Sequence, residues 1–351
     1  MKFRLHDINN FGRPYIIAEL GANHNGDLNL ARKMIDQAVE CGCNCVKFQS
    51  WTKDSIFARK VYKENFFLED DYRNRNDYTL ESIVEEYSLS ETELMDMRNY
   101  CIEVGIDFAS TPFSEQEVDF LVNELKAPFI KVASMDLNNY PFLEYIARKD
   151  LPIMLSTGLS TLAEIDQAIN VIENAGNKKL MILHCVSVYP PSDSLVNLNN
   201  IDMLRQNYPD YPVGFSDHTI GFEIPLAAVA KGACVIEKHF TLDKNMEGWD
   251  HKVSATKDEM SIIVNGAQRI NAALGSFRRT VSEAEKEKIQ AFRRSIVAAR
   301  FIPAGKIIER EDLDLKRPGT GIEPGQIWLI VGKKLLKDVK PDELIEWSCI
   351  S

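Results

Sequence analysis

The stretches "GFSDHTIG" (residues 214–221) and "VIEKHFTLD" (residues 235–243) are short apolar runs, each of which ends by presenting a histidine; "IPLAAVAKGA" (residues 224–233) lies between them. The outer runs have the length and β-forming composition of strands, and the segment between them has the character of a buried helix closed by Gly232. Two strands joined through a helical crossover pair in parallel. The unit therefore reads as strand, helix, strand, with an imidazole at the carboxyl end of each strand.

Outward from this unit the same punctuation recurs. Further β-rich runs lie at residues 15–20, 45–49, 107–111, 129–133, 152–156 and 180–185, which with 213–216 and 234–239 makes eight. Amphipathic stretches such as "LNLARKMIDQAVECG" (28–42), "SETELMDMRNYCIEVG" (90–105), "SEQEVDFLVNELK" (114–126) and "LAEIDQAINVIENAG" (162–176) separate them. Eight alternations predict a closed (β/α)8 barrel rather than an open doubly wound sheet, and no G-x-G-x-x-G follows the first run. One interval breaks the rhythm: residues 50–87 are long, aromatic and charged, and are expected to form an insertion over the barrel mouth.

The chain's 351 residues exceed a barrel of about 250. The surplus is at the carboxyl end. Residues 1–276 are assigned to the barrel, the charged residues 277–292 to a linker, and residues 293–351, with short β runs between Pro-Gly, Ala-Gly and Gly-Thr-Gly turns, to a small β-rich domain. A net charge of −11 argues against nucleic acid or an anionic membrane as the main partner. No apolar run is long enough to span a bilayer, "MKFRLHDINN" lacks the features of a signal peptide, and the seven cysteines do not follow a disulfide framework, so a cytoplasmic location is expected.

In a parallel barrel the carboxyl ends of the strands and the loops after them carry the active face. Those ends read Glu19; Lys47 and Gln49; Ser110 and Thr111; Lys131, Ser134 and Asp136; Ser156 and Thr157; His184 and Ser187; Ser216, Asp217 and His218; Glu237, Lys238 and His239. Polar ends of both signs on one mouth predict a site. His218 and His239, on adjacent strands, are either ligands of one ion or two buried, hydrogen-bonded imidazoles. Two imidazoles suit Mn, Fe, Co or Zn better than Mg or Ca, with Glu19 or Asp250 as oxygen donors. Lys47 and Lys131 amid serines read as a phosphate or carboxylate cradle, against the alternative of strand-end salt bridges. A Ser216–Asp217–His218 triad is rejected, because neighbours on one strand end do not converge.

The runs "IIAELGANHNGDLNLARKMIDQA" (16–38), "VKFQS" (46–50), "FASTPFS" (108–114), "IKVASMDLNNYPFLEYIA" (130–147), "LSTGLSTLAEI" (155–165), "LHCVSVYPPSDSLVNLNNI" (183–201), "GFSDHTIG", "EKHFTLDKNMEGWDHKVSA" (237–255) and "LKRPGTGI" (315–322) closely resemble the sialic acid synthases, which make N-acetylneuraminic, legionaminic and pseudaminic acids. The resemblance covers essentially the whole chain. It implies a (β/α)8 TIM barrel followed by an antifreeze-like (SAF) domain, in a domain-swapped homodimer. It implies condensation of phosphoenolpyruvate with N-acetylmannosamine or a related 2-acetamido or 2,4-diacetamido sugar, giving a nine-carbon 2-keto acid and phosphate.

By the same resemblance His218 and His239 match ligands of a divalent metal, Mn with Mg or Co as other occupants. Lys47, Thr111, Lys131, Ser134, Ser156 and Ser216 match positions around phosphoenolpyruvate. Glu19, Gln49, Asp136, Tyr189 and Asp250 match positions near the acceptor sugar, and Arg317 matches an arginine given to the partner's site. The expected roles are Glu19 on the attacking water, Asp250 on sugar hydroxyls or proton transfer, and Lys47 and Lys131 on departing phosphate. Three positions depart from the family's habit: Met135 replaces a common glycine, Trp249 a common proline, and Ser187 stands where some members carry asparagine. Met135 either fills a gap or reshapes the sugar pocket, Trp249 packs either on a sugar face or on the insertion, and together the three leave the acceptor open. A metal-dependent barrel hydrolase or aldolase that does not use phosphoenolpyruvate, and a non-catalytic sugar-binding protein, are the alternatives.

Overall fold

The computed structural model describes residues 1–64 and 79–351, in two compact units, Met1–Gly275 and Ser276–Ser351. The expected insertion at 50–87 falls partly outside the described residues.

The first unit opens with a hairpin of β1 (Lys2–Phe3) and β2 (His6–Asp7). Eight parallel strands follow: β3 (Tyr15–Gly21), β4 (Cys45–Gln49), β5 (Asp107–Thr111), β6 (Ile130–Val132), β7 (Ile153–Ser156), β8 (Leu180–Cys185), β9 (Val213–Asp217) and β10 (Val235–His239). They are ordered β5-β4-β3-β10-β9-β8-β7-β6, so β10 returns to pair with β3. This is the (β/α)8 barrel expected, nearly closed: the ladder is hydrogen-bonded at every seam except that between β5 and β6.

Helices cross back between the strands, and their ends show why they begin and stop where they do. Leu28–Cys41 starts at Asp27, whose carboxylate accepts from Asn29 N and Leu30 N, and stops at Gly42 in the left-handed region. Glu91–Val104 and Leu162–Asn174 start at capping boxes, Ser90 with Glu93 and Thr161 with Glu164.

Side chains alternate along each strand and divide the core in two. Outward residues such as Ile16, Val46, Phe108, Ile130, Ile182 and Ile236 pack against the helices. Inward residues Tyr15, Ile17, Cys45, Ala109, Phe129, Met154, Met181, Leu183 and Val235 fill the lower barrel, where Phe3 and Ile8 of the hairpin segment join them. Phe3 lies tilted against Phe129 at 4.7 Å and edge-on to Tyr15, whose hydroxyl donates to Asp107 at 2.7 Å. The floor is therefore plugged. The polar strand ends stand above an apolar base.

In the second unit β11 (Ser295–Ala298) pairs antiparallel with β12 (Leu313–Lys316). Ile296, Ile302, Ile308, Leu313, Ile330, Leu335 and Ile345 form its core. Asp312, buried at its edge, is held by Lys306 at 2.6 Å and Arg300 at 2.8 Å. The helix Glu283–Phe292, within the segment read as a linker, belongs to this unit. No helix among the described residues is long and apolar enough to cross a membrane, and all seven cysteines are unpaired.

Candidate active site

Two residues above the apolar floor, the inward positions become charged. Lys47 on β4 lies 2.5 Å from Glu19 Oε2 on β3, donates to Thr111 Oγ1 on β5 at 2.8 Å, and stands 3.8 Å from Glu237 Oε2 on β10. Lys131 on β6 reaches Glu237 Oε1 at 3.5 Å from the other side, and Ser216 Oγ donates to that same oxygen at 2.8 Å. Gln49 Nε2 donates to Glu19 Oε1 at 2.9 Å. All four charged groups are buried, so each ion is tolerable only because the others are present.

The two carboxylates are pushed in opposite directions. Burial raises the Glu19 carboxyl above its ordinary range, and the neighbouring Glu237 adds to this against the pull of Lys47. Burial acts the same way on Glu237, but Lys131 and Lys47 together outweigh it and hold that carboxyl well below the usual range. Glu237 is the permanent anion of the pair and Glu19 the one able to exchange a proton.

Beside this cluster lies a group of hydroxyls. Ser156 Oγ is buried and makes no hydrogen bond. Gly158 N donates to Ser134 Oγ at 3.1 Å, and a Cβ on Gly158 would stand 2.3 Å from Ser187 Oγ and 2.7 Å from Ser134 Oγ. The hydroxyls thus close over a glycine, where a methyl would have to push them aside. A cavity of about 400 Å³ opens next to them, lined in part by Thr157, Ser160, Ser187, Asn197 and Met203.

His218, just past β9, and His239, the last residue of β10, face each other with ring centroids 5.5 Å apart. Tyr189 lies over His218 at 4.0 Å. His218 Nδ1 is 2.8 Å from the Val186 carbonyl, which only accepts, so that nitrogen carries a proton; burial lowers this imidazole, but Cys185 and the carbonyl outweigh it and raise it above the ordinary range. His239 Nδ1 is buried without a hydrogen bond, 3.5 Å from Asp250 Oδ2. Burial, and then His218 and Lys47, hold His239 well below the ordinary imidazole range, hence neutral. Two inward-facing imidazoles on adjacent strands fit a divalent cation. No group of three or more His, Cys, Asp or Glu among the described residues would hold one by itself, so water or substrate oxygens must complete any shell.

Residues 34–279 match the NeuB family and residues 293–351 match the SAF domain. The chain belongs to the NeuB family. Among curated NeuB-like relatives, the N,N'-diacetyllegionaminic acid synthase of Campylobacter jejuni is 40% identical over 95% of this chain and 99% of its own length. The human N-acetylneuraminate-9-phosphate synthase is 36% identical, over 94% and 91%. A crystal structure of the N-acetylneuraminic acid synthetase from Leptospira borgpetersenii superposes with a TM-score of 0.74 at 33% identity, covering 82% of this chain and 94% of that one.

Strand parity separates the NeuB-family residues named from the sequence. Glu19, Lys47, Gln49, Thr111, Lys131, Ser156, Ser216, His218 and His239 meet inside or above the barrel. Ser134, Ser187, Tyr189, Asp250 and Asp136 line its mouth, with Asp136 Oδ2 buried and unbonded and its carboxyl raised by burial. Four strand-end residues, His184, Ser110, Asp217 and Lys238, do not converge. His184 points out to the Val196 carbonyl at 2.6 Å, Ser110 pairs with Ser50, and Asp217 with Lys238 on the outer side. Arg317 belongs to the second unit, where its Nε donates to the Phe292 carbonyl at 3.1 Å.

Glu237, the hub between the two lysines, had been given no role. The signal was available, since it shares parity with His239 two residues on. Trp249 packs edge-on to Trp51 at 6.0 Å and to Tyr87 at 6.3 Å, within an apolar cluster from the described ends of the insertion. Met135 is exposed.

Proposed function

We propose that the chain condenses phosphoenolpyruvate with an N-acylated amino sugar, N-acetylmannosamine or a 2,4-diacetamido relative, to give a nine-carbon 2-keto acid and inorganic phosphate. The observation that carries this reading is the buried Lys47–Glu237–Lys131 bridge beside a hydroxyl, Ser156 Oγ, that has no partner. A buried donor left unbonded is costly unless a ligand supplies an acceptor, and an enol phosphate brings anionic oxygens to both lysines and hydroxyls.

In this reading Ser134, Ser156, Ser187, Ser216 and Thr111 orient the phosphate and carboxylate. The methylene carbon of phosphoenolpyruvate bonds to the sugar's aldehyde carbon, and the aldehyde oxygen takes up a proton. Water adds to the cationic carbon left behind and gives its proton to Glu19, whose raised carboxyl and access to that centre suit a base. The carbon–oxygen bond to phosphate then breaks, the electron pair leaves with phosphate, the hydroxyl's proton passes to the departing phosphate as the ketone forms, and Lys47 and Lys131 stabilise the departing charge. Gln49, Asp136, Tyr189 and Asp250 hold the sugar. His218 and His239 would hold a divalent metal, Mn first with Mg or Co as other occupants, which supplies Lewis-acid polarisation of the sugar carbonyl.

Arg317 serves the site of a partner chain in a domain-swapped homodimer. A cytoplasmic location belongs to the same proposal and is supported by seven unpaired cysteines. The relative named for a diacetylated product is the more similar of the two curated ones, which makes the diacetamido acceptor the first to test.

The test is phosphate release from phosphoenolpyruvate with Mn, across N-acetylmannosamine, 2,4-diacetamido-2,4,6-trideoxymannose and its altrose isomer, with products weighed by mass spectrometry. Release that needs one sugar and yields the keto acid is expected, falling on the order of 10²–10⁴-fold in Glu19→Gln. No sugar-dependent release in metal-loaded protein would overturn the reading.

A further inference from the structure

Behind the two histidines lies an ion pair that the proposed reaction does not use. Asp217 and Lys238 are register partners across the seam between β9 and β10, and each is about 1% exposed. Lys238 Nζ lies 2.6 Å from Asp217 Oδ2 and donates to the Thr219 carbonyl, also at 2.6 Å. Asp217 Oδ1 accepts from Thr219 N at 2.9 Å. Both main-chain polar groups of Thr219 are therefore held by this pair, and His218 is the residue enclosed between Asp217 and Thr219.

Alternation explains the arrangement. Because His218 and His239 face inward, Asp217 and Lys238, their immediate neighbours, face outward against the helix layer. An apolar pair of similar volume would satisfy the packing at least as well, so burial alone gives no reason for charge here. What charge adds is direction. Three charge-assisted hydrogen bonds fix where the end of β9 turns and how far it lies from the end of β10. Those two ends are the stems of the two imidazoles.

We infer that Asp217 and Lys238 are positioning residues that set the spacing and orientation of His218 and His239 for a divalent cation. The pair touches neither cation nor substrate, and acts through the main chain of residues 217–219 and 238–239. The inference rests on the reading of the two histidines as metal ligands.

The experiment measures Mn affinity of the full chain by competition with a chromophoric chelator, well below the unfolding temperature. Wild type and His218→Ala come first: if wild type does not bind Mn, or His218→Ala binds equally well, the ligand reading itself fails. Given that control, Lys238→Met is expected to weaken Mn binding on the order of 10–100-fold, the range seen when partners behind metal ligands are removed. Since Lys238→Met leaves Asp217 buried without its counter-ion and is at risk of unfolding, the double variant Asp217→Asn/Lys238→Met removes both charges together. It is expected to keep the barrel's circular dichroism and still bind Mn weakly. A folded double variant with wild-type Mn affinity would overturn the inference and leave the pair a matter of stability alone.

Discussion

Glu19 and Glu237 show how one residue type is given two characters by its neighbours. Both carboxylates are buried in the same polar layer, yet Glu237 has an ammonium on each side and Glu19 has one. The difference of one lysine sends their titrations opposite ways, which no reading of a single strand could supply. His24 makes a related case that can be tested away from the cluster. Burial lowers its imidazole from about 6.5 to about 4, so it folds neutral. The unfolded chain then binds more protons than the folded one between those values, and stability present above pH 6.5 is lost as pH falls toward 4. The loss attributable to His24 is about 3 kcal/mol. Thermal unfolding at pH 7.5 and pH 5 should show a larger drop for wild type than for His24→Gln; equal drops would remove His24 as the source. What was legible at this scale was identity without direction. The sequence named Ser110, Asp217, His184 and Lys238 as strand-end polar groups, but their facing the helices follows from parity once His218 and His239 are known to face inward. Trp249 was legible as a choice between a sugar face and the insertion, and its partners Trp51 and Tyr87, about 200 and 160 residues away in the chain, decide for the insertion.

At the scale of elements, six of the eight parallel strands deliver an apolar residue to the floor and, two positions on, a polar one to the site: Ile17 and Glu19, Cys45 and Lys47, Ala109 and Thr111, Phe129 and Lys131, Met154 and Ser156, Val235 and Glu237. The barrel itself was legible from a coarser rhythm, eight β-rich runs separated by amphipathic helical stretches, and the two-residue step follows from parity along each strand. The loops were not legible, since turn geometry depends on contacts made elsewhere. Gly21 sits at φ +51° where the β3–β4 register shifts, turning the chain just above Glu19. Gly158 matters through space instead. A methyl there would press on the flexible ends of Ser134 and Ser187, which can rotate away, so Gly158→Ala should fold normally while scattering the hydroxyls. The expected result is a KM for phosphoenolpyruvate raised about tenfold, the equivalent of one or two hydrogen bonds, with the melting temperature unchanged. An unaltered KM would mean that phosphoenolpyruvate does not use this group.

For the whole molecule, the open question is why a barrel with a complete inner layer should carry a second unit. That unit is small, and Arg317 stands exposed on it, with its guanidinium 5.1 Å from the Phe292 ring and room to leave it. If Arg317 completes the site of a partner, two defective chains should repair each other. Glu19→Gln has a dead barrel but a sound Arg317, and Arg317→Ala has the reverse. Each alone should be nearly inactive. Mixed in equal amounts and allowed to exchange subunits, half of the dimers would be hybrids, and in each hybrid the barrel of the Arg317→Ala chain would receive arginine from the Glu19→Gln chain. About a quarter of all sites should then be whole, and phosphate release should recover to roughly that fraction of wild type. An arginine acting on its own barrel gives no such recovery, because no hybrid then contains a site with both residues. Recovery on mixing would thus separate exchange between chains from service within one, and its absence in a mixture shown to contain hybrids would sink the swapped arrangement.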